Sequence, residues 1–236
     1  ASDVYKRQEL DSSYIEEVTK KAEQADAEVV RELRRAGINE NIGNINAVNE
    51  LMATGQLMAY TRKHGNQGSK SIYGENIIDS NDKLKEVLDS RDKLEAMYTN
   101  LEEAAGDELE EAIESSLTGT AEDPVDYDTF EELRISNRQI RYISNLARRN
   151  DYRVPYVKNG QAGLINLTFV ADDNDKGKIS IKMNTASWGE LSVEAKVTQS
   201  DVSMYVKQDS RIVLSEDRSI YKYFQQIEGD LKEQFG

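Results

Sequence analysis

The chain contains no cysteine, a single histidine (His64) and two prolines in 236 residues. Without cysteine there are no disulfides, no thiolate nucleophile and no cysteine-held zinc, and the redox compartment is left unmarked. One imidazole excludes every site that needs two. No stretch approaches the roughly 20 consecutive apolar residues that span a bilayer, so no membrane insertion is expected. The opening ASDVYKRQELDSSY lacks the basic-then-apolar pattern of a Sec signal peptide. Hydrophobic residues make up 38% of the chain, under the usual ~45–50%. Part of the protein is therefore expected to be elongated or thinly cored.

What is present is charge. Lys and Arg number 30 against 44 Asp and Glu, a formal net charge of −14. With a pI near 4.7, the overall field repels phosphate backbones, and nucleic acid is not an expected partner. The length suits one large domain or two small ones. Residues 1–8, ASDVYKRQ, resemble an adaptor sequence translated by accident in metagenomic assemblies. They are read as a sequencing scar, and the natural start is expected to be missing. The end at Gly236 is equally abrupt.

Residues 9–150 read as a helical region with breaks near 37–43, 65–75 and 118–126. Ile15, Val18, Ala22, Ala25, Val29 and Leu33 recur at three- and four-residue spacing, one stripe of an amphipathic helix. Gly37 after Arg34 and Arg35 is its stop. A second helix is expected over 44–54, with Asn44 as N-cap and Gly55 as stop. Leu84, Val87, Leu94, Tyr98 and Leu101 form a heptad-like seam in one long helix over 82–101. Gly106 is expected to kink or break it before Leu109, Ile113 and Leu117 continue the seam. A last helix over 129–149 would bury Phe130, Leu133, Ile140, Ile143 and Leu146.

After Asn150 the period changes from helical to alternating. Residues 152–157 read as a strand, and Asn159-Gly160 as a hairpin turn that accepts positive φ. Alternation continues through Leu164–Val170, then Ile179, Ile181 and Met183, then Leu191, Val193, Ala195 and Val197, then Val202, Met204 and Val206. Ile220, Phe224, Ile227 and Leu231 mark a final helix. The expected fold class is α+β: a helical N-terminal array, then over 151–236 a small mixed domain with a mainly antiparallel sheet and one C-terminal helix.

Candidate chemistry is sparse. Residues 101–135 hold thirteen acids against one base, and residues 136–158 hold six bases against one acid. The blocks are either a bipolar docking surface or solvated, mutually facing helix sides. Asp172–Gly177 fails as a calcium loop, because Lys176 stands at a ligand position and Met183 where the closing Glu belongs. Gly65–Ser71 fails the phosphate-loop spacing. His64 has no recognisable nucleophile or orienting carboxylate, and no carboxylate pair sits in a glycosidase frame. Asn166-Leu-Thr168 is a sequon inside a strand. No catalytic, cofactor or metal residue is assigned, and the protein is not expected to be an enzyme. Trp188, the only tryptophan, precedes Gly189 at the opening of a strand. It is either a structural corner or an exposed aromatic anchor.

These C-terminal residues resemble a family. Flagellar hook-length control proteins end in a domain with the pattern apolar-x-apolar, then Pro-x-x-Leu-Gly-x-Val-x-Val, then a second alternating strand and a helix. Ile179, Ile181 and Met183 match the first strand; Gly189, Leu191, Val193 and Ala195 match the glycine-led one; Val202, Met204 and Val206 match the next. Arg211 and the helix to Leu231 match the end. Thr185 and Trp188 stand where the family has Pro and Leu. The resemblance covers about 60 residues, and the helical region is similar to that of uncharacterised clostridial proteins carrying this domain, with Gly37-Ile-Asn-Glu-Asn-Ile42 as the shared kind of stretch.

The resemblance implies a non-enzymatic bacterial protein of the flagellum. Such proteins stay cytoplasmic or leave through the flagellar type III system, and switch export specificity when the C-terminal domain contacts the cytoplasmic domain of the export gate. Hook or hook-cap subunits would be partners of the helical region. The protein-interaction candidates are Trp188, Gly189, Glu190, Leu191, Ser192, Val193 and Glu194. The alternative reading is a helical scaffold that offers the acidic 101–135 surface to a basic partner.

Overall fold

The computed structural model describes residues 27–61, 78–118, 127–158, 161–172, 176–185, 189–198 and 201–208. Helix α1 (Ala27–Ala36) buries Val29 and Leu33. Its end is a Schellman cap: the Gly37 N–H bonds to the Arg34 carbonyl at 3.0 Å and the Ile38 N–H to the Leu33 carbonyl at 2.9 Å. That geometry needs the left-handed φ of 69° that Gly37 adopts. The earlier part of the expected stripe, Ile15 to Ala25, lies outside the described residues.

Helix α2 (Ile42–Thr54) begins two residues before the expected N-cap. Asn41, not Asn44, is the cap, its side chain accepting the Asn44 N–H at 3.0 Å. Asn44 is instead inside the first turn, donating through Nδ2 to the Asn39 carbonyl. Two asparagines three apart offer the same capping chemistry, and the apolar residue between them, Ile42, tips neither choice. A short turn, α3 (Met58–Thr61), follows.

The expected single helix over 82–101 is two: α4 (Asn81–Leu88) and α5 (Arg91–Thr118). Ser80 caps the first, accepting from the Lys83 N–H. Ser90 restarts the second, its hydroxyl accepting the Lys93 N–H at 3.2 Å. The seam spacing survives the break because Leu94, Tyr98 and Leu101 are buried while Leu84 and Val87 pack at the core margin. Gly106 does not break α5; it sits mid-helix with nothing near the position of a Cβ. Nor does the seam stay dry, since Ile113 and Leu117 are exposed at the far end.

Helix α6 (Tyr127–Ala147) is the hub. It touches α1, α2, α3, α5 and β1. Leu133, Ile140, Ile143 and Leu146 are buried as expected, and Phe130 is only half-buried. Asn150, at φ 61°, turns the chain directly into the sheet.

The sheet is a five-strand antiparallel meander, β1 (Asp151–Lys158), β2 (Gln161–Asp172), β3 (Lys176–Thr185), β4 (Gly189–Val197) and β5 (Val202–Gln208), in sequential order. Together with the helices it makes the chain α+β. Tyr156 pairs with Gly163 and lies over it, with ring atoms 2.9 Å from where a Cβ would be. One apolar core runs through both secondary-structure classes, joining Leu33, Leu101, Ile140 and Ile143 to Tyr152, Val154, Ile165 and Leu167. Its reach fades along the sheet. Ile179, Ile181 and Met183 of β3 are partly buried against it, and among the described residues no β4 or β5 side chain belongs to it. Among the described residues, no helix is long and apolar enough to cross a membrane.

Candidate protein-interaction surface

The pairing of β3, β4 and β5 decides which candidates share a surface. Ser192 lies between Lys182 and Lys207, and Glu194 between Ser180 and Tyr205. Glu190, Ser192 and Glu194 therefore occupy one face, because side chains two apart on a strand point the same way. Leu191 and Val193 occupy the other, between Met183 and Gln208 and between Ile181 and Val206. Gly189 opens β4 at φ 67°, a conformation that L side chains rarely adopt. Trp188 lies outside the described residues. The seven candidates thus do not form one patch: the strand divides six of them between two sides, and β4 itself is an interior strand with no free edge.

The polar face is laced with ions. Lys178 Nζ meets Glu194 Oε2 at 3.0 Å across one diagonal of the ladder. That hydrogen bond, and then the lysine's charge, hold the Glu194 carboxyl below its ordinary range. Lys196 and Lys182 add to it more weakly. Tyr205 stands beside this pair, 65% exposed. It was not among the sequence candidates, although the signal was there. If Met204 and Val206 face inward, Tyr205 must face outward, and an aromatic residue at an outward strand position is the usual mark of an anchor.

On the opposite face, Leu191, Val193 and Ala195 are half-buried and Met204 is 39% exposed. Val193 is flanked by Ile181 and Val206, and Ala195 by Ile179 and Met204. An apolar strip two strands wide thus continues beyond the reach of the core formed by the described helices.

The other sequence candidates have structural places. The basic block of 136–158 does not form one surface. Arg148 bonds Glu102 on α5 at 3.0 Å. Arg149 donates to the Arg35 carbonyl, and Arg153 approaches Asp151 and Glu32. Asp151 is nearly fully buried and held by Arg35 at 2.5 Å, so this cluster clasps α1 to β1. Asn166 and Thr168 of the sequon lie within β2, and Thr168 Oγ1 reaches Asp151 at 3.5 Å. His64 and residues 173–175 lie outside the described residues. Among the described residues, no group of three or more acidic or imidazole side chains is placed to hold a metal ion.

Comparison with known proteins returns no match: no family model, no curated protein and no solved structure is similar to the chain.

Proposed function

We propose that this is a non-enzymatic flagellar protein of the hook-length control kind, whose C-terminal sheet contacts the cytoplasmic domain of the export gate. On this reading residues 151–236 form the switch domain, completed by a C-terminal helix over 210–235. The helical array before it acts as spacer or as contact for hook or hook-cap subunits. The protein works in the cytoplasm or on its way through the type III apparatus. The observation that carries the reading is the position of the resembling segment. Among the described residues, β4 and β5, which make up most of the resembling segment, are the part of the sheet that the shared core does not reach, and the glycine of the family pattern is Gly189, left-handed at the head of β4. The polar face of β3–β5, with Tyr205 beside Glu194, is the contact surface.

The test is a titration of the full-length, isotope-labelled chain with an export-gate cytoplasmic domain. The full chain is required because the core that supports β1 and β2 comes from the helices. Saturable shifts centred on Ser192, Glu194 and Tyr205 are expected, weakened roughly tenfold or more by Tyr205→Ala, the size of one anchor residue. A folded chain that shows no shifts removes the reading.

A second reading rests on α5. Glu103, Asp107, Glu110 and Glu111 are exposed along one side of that helix, and none of them has an ion-pair partner among the described residues. As a scaffold, the protein would present this stripe to a basic surface. Reversing those four charges would then abolish partner capture, while Tyr205→Ala would leave it intact.

A further inference from the structure

The two edges of the sheet differ. On the β1 side, Ile78 forms a parallel bridge to Tyr156, and its carbonyl accepts the Val157 N–H at 2.8 Å. Pro155 stands within that strand. A covering segment and a proline both blunt an edge against further pairing. The opposite edge, β5, contains no proline, and among the described residues no segment bridges to its outer side. Its ladder to β4 runs from Val202 to Gln208 without a bulge, so the strand stays straight enough to accept a neighbour.

The turn before β5 decides which backbone groups that edge offers. The Thr198 N–H bonds to the Asp201 carbonyl at 2.8 Å, so Asp201, and then Ser203, Tyr205 and Lys207, turn their backbone groups toward β4. Inward and outward groups alternate in an antiparallel ladder. Val202, Met204 and Val206 therefore turn theirs outward, and none of these has a partner among the described residues. A second copy laid antiparallel along the edge, with a two-fold axis at Met204, supplies all three: Met204 pairs with its own counterpart and Val206 with Val202 of the second copy. The same register sets Tyr205 beside Ser203 and Lys207 beside Asp201, on the polar face. Lys207 and Asp201 are exposed, and symmetry makes their contact twice. A slip of one residue would set polar side chains against apolar ones. Centring the axis on Tyr205 would put Lys207 opposite Ser203 and lose both ion pairs. Charge also favours this end of the molecule. The chain carries −14, yet residues 176–208 hold five lysines against three acids, so the acidic excess does not oppose two copies meeting there.

We propose that β5 is a self-association edge, at which two copies of the chain join their sheets antiparallel about Met204. Outward backbone hydrogen bonds hold the junction, and a Lys207–Asp201 pair closes it at each end. A two-fold axis perpendicular to the sheet keeps both polar faces on one side, so the dimer doubles the surface that carries Glu194 and Tyr205. One strand from each copy makes a small contact, so the association is reversible and concentration-dependent. It rests on the edge alone and is independent of the partner that the polar face takes.

Sedimentation equilibrium of the full-length chain, from dilute to concentrated solution, is the test, and a monomer–dimer equilibrium is expected. Met204→Pro removes the N–H at the axis and should abolish the dimer. An outward N–H on an edge strand is where proline is tolerated, so circular dichroism should be unchanged. Lys207→Glu and Asp201→Lys should each weaken association roughly tenfold, because symmetry counts every lost pair twice and sets like charges in its place. Combining the two restores the affinity, which only a direct pair in this register would do. Lys85→Glu, the same change of charge on α4, should leave the dimer as it was. A chain that stays monomeric at every concentration overturns the proposal, and is the result if another segment or another partner occupies the edge. So does a dimer indifferent to Met204→Pro, or a double substitution that fails to restore what the single ones lose.

Discussion

Gln139 has no exposure to solvent, yet it carries a polar group into the centre of the helical layer. Its Oε1 accepts the Met58 N–H at 2.9 Å, and its Nε2 donates to the Ala47 carbonyl at 3.1 Å. One amide thereby fixes the start of α3 against α2, and both of its polar atoms are used. Gln139→Leu keeps much of the volume but removes both the acceptor offered to the Met58 N–H and the donor to the Ala47 carbonyl. We expect a loss of about 1–3 kcal/mol, read as a lower urea midpoint at unchanged slope. Nothing in the sequence marks this residue. It sits beside Ile140 on a helix whose apolar period is already complete, and its role follows only from which backbone groups come to rest beside it.

At the scale of elements, α5 shows what periodicity conveys and what it omits. Leu94, Tyr98 and Leu101 are legible as a buried seam, and they are buried. The same spacing continues to Ile113 and Leu117, where the neighbours run out and both are exposed. Period reports which side of a helix is apolar, not how long the opposing surface lasts. The break at Asp89–Ser90 was hidden for a related reason, since the Ser90 cap that restarts the helix leaves the spacing of the seam undisturbed. In the sheet, alternation predicted all five strands. It also put Leu191 and Val193 in one list with Glu190, Ser192 and Glu194, although alternation itself requires the two sets to face apart. Gly106 gives the element's prediction. A methyl group there meets open space, and alanine is the better helix former. Gly106→Ala should therefore stabilise the chain by about 0.5–1 kcal/mol, seen as a higher melting temperature.

For the whole molecule the decisive fact is that helices and sheet share their core. Tyr98, Tyr142 and Tyr152 gather at that junction. Burial raises the phenol of each above its ordinary value of 10.0, and Glu32 adds to the effect at Tyr142. A phenol held protonated in the folded state favours folding at pH values below its unfolded pKa. That contribution declines as pH climbs past about 10 toward the folded value. Unfolding midpoints in urea should therefore be flat from neutral pH to about 9 and fall steeply above 10. Tyr142→Phe, which cannot ionise, should make that alkaline fall shallower. The hub position of α6 carries a further consequence, for the order in which the chain is made. Helices α1, α2 and α3 precede α6 in sequence, and they bury Val29, Leu33, Val48, Leu51 and Leu57 in a core completed by Ile140, Ile143 and Val154. A ribosome therefore releases the first half of the protein well before the residues that close over it. Synthesis proceeds at roughly 5–20 residues per second, so those apolar faces stand open for several seconds on every nascent chain. During that interval they are exposed to whatever chaperone or neighbour reaches them first.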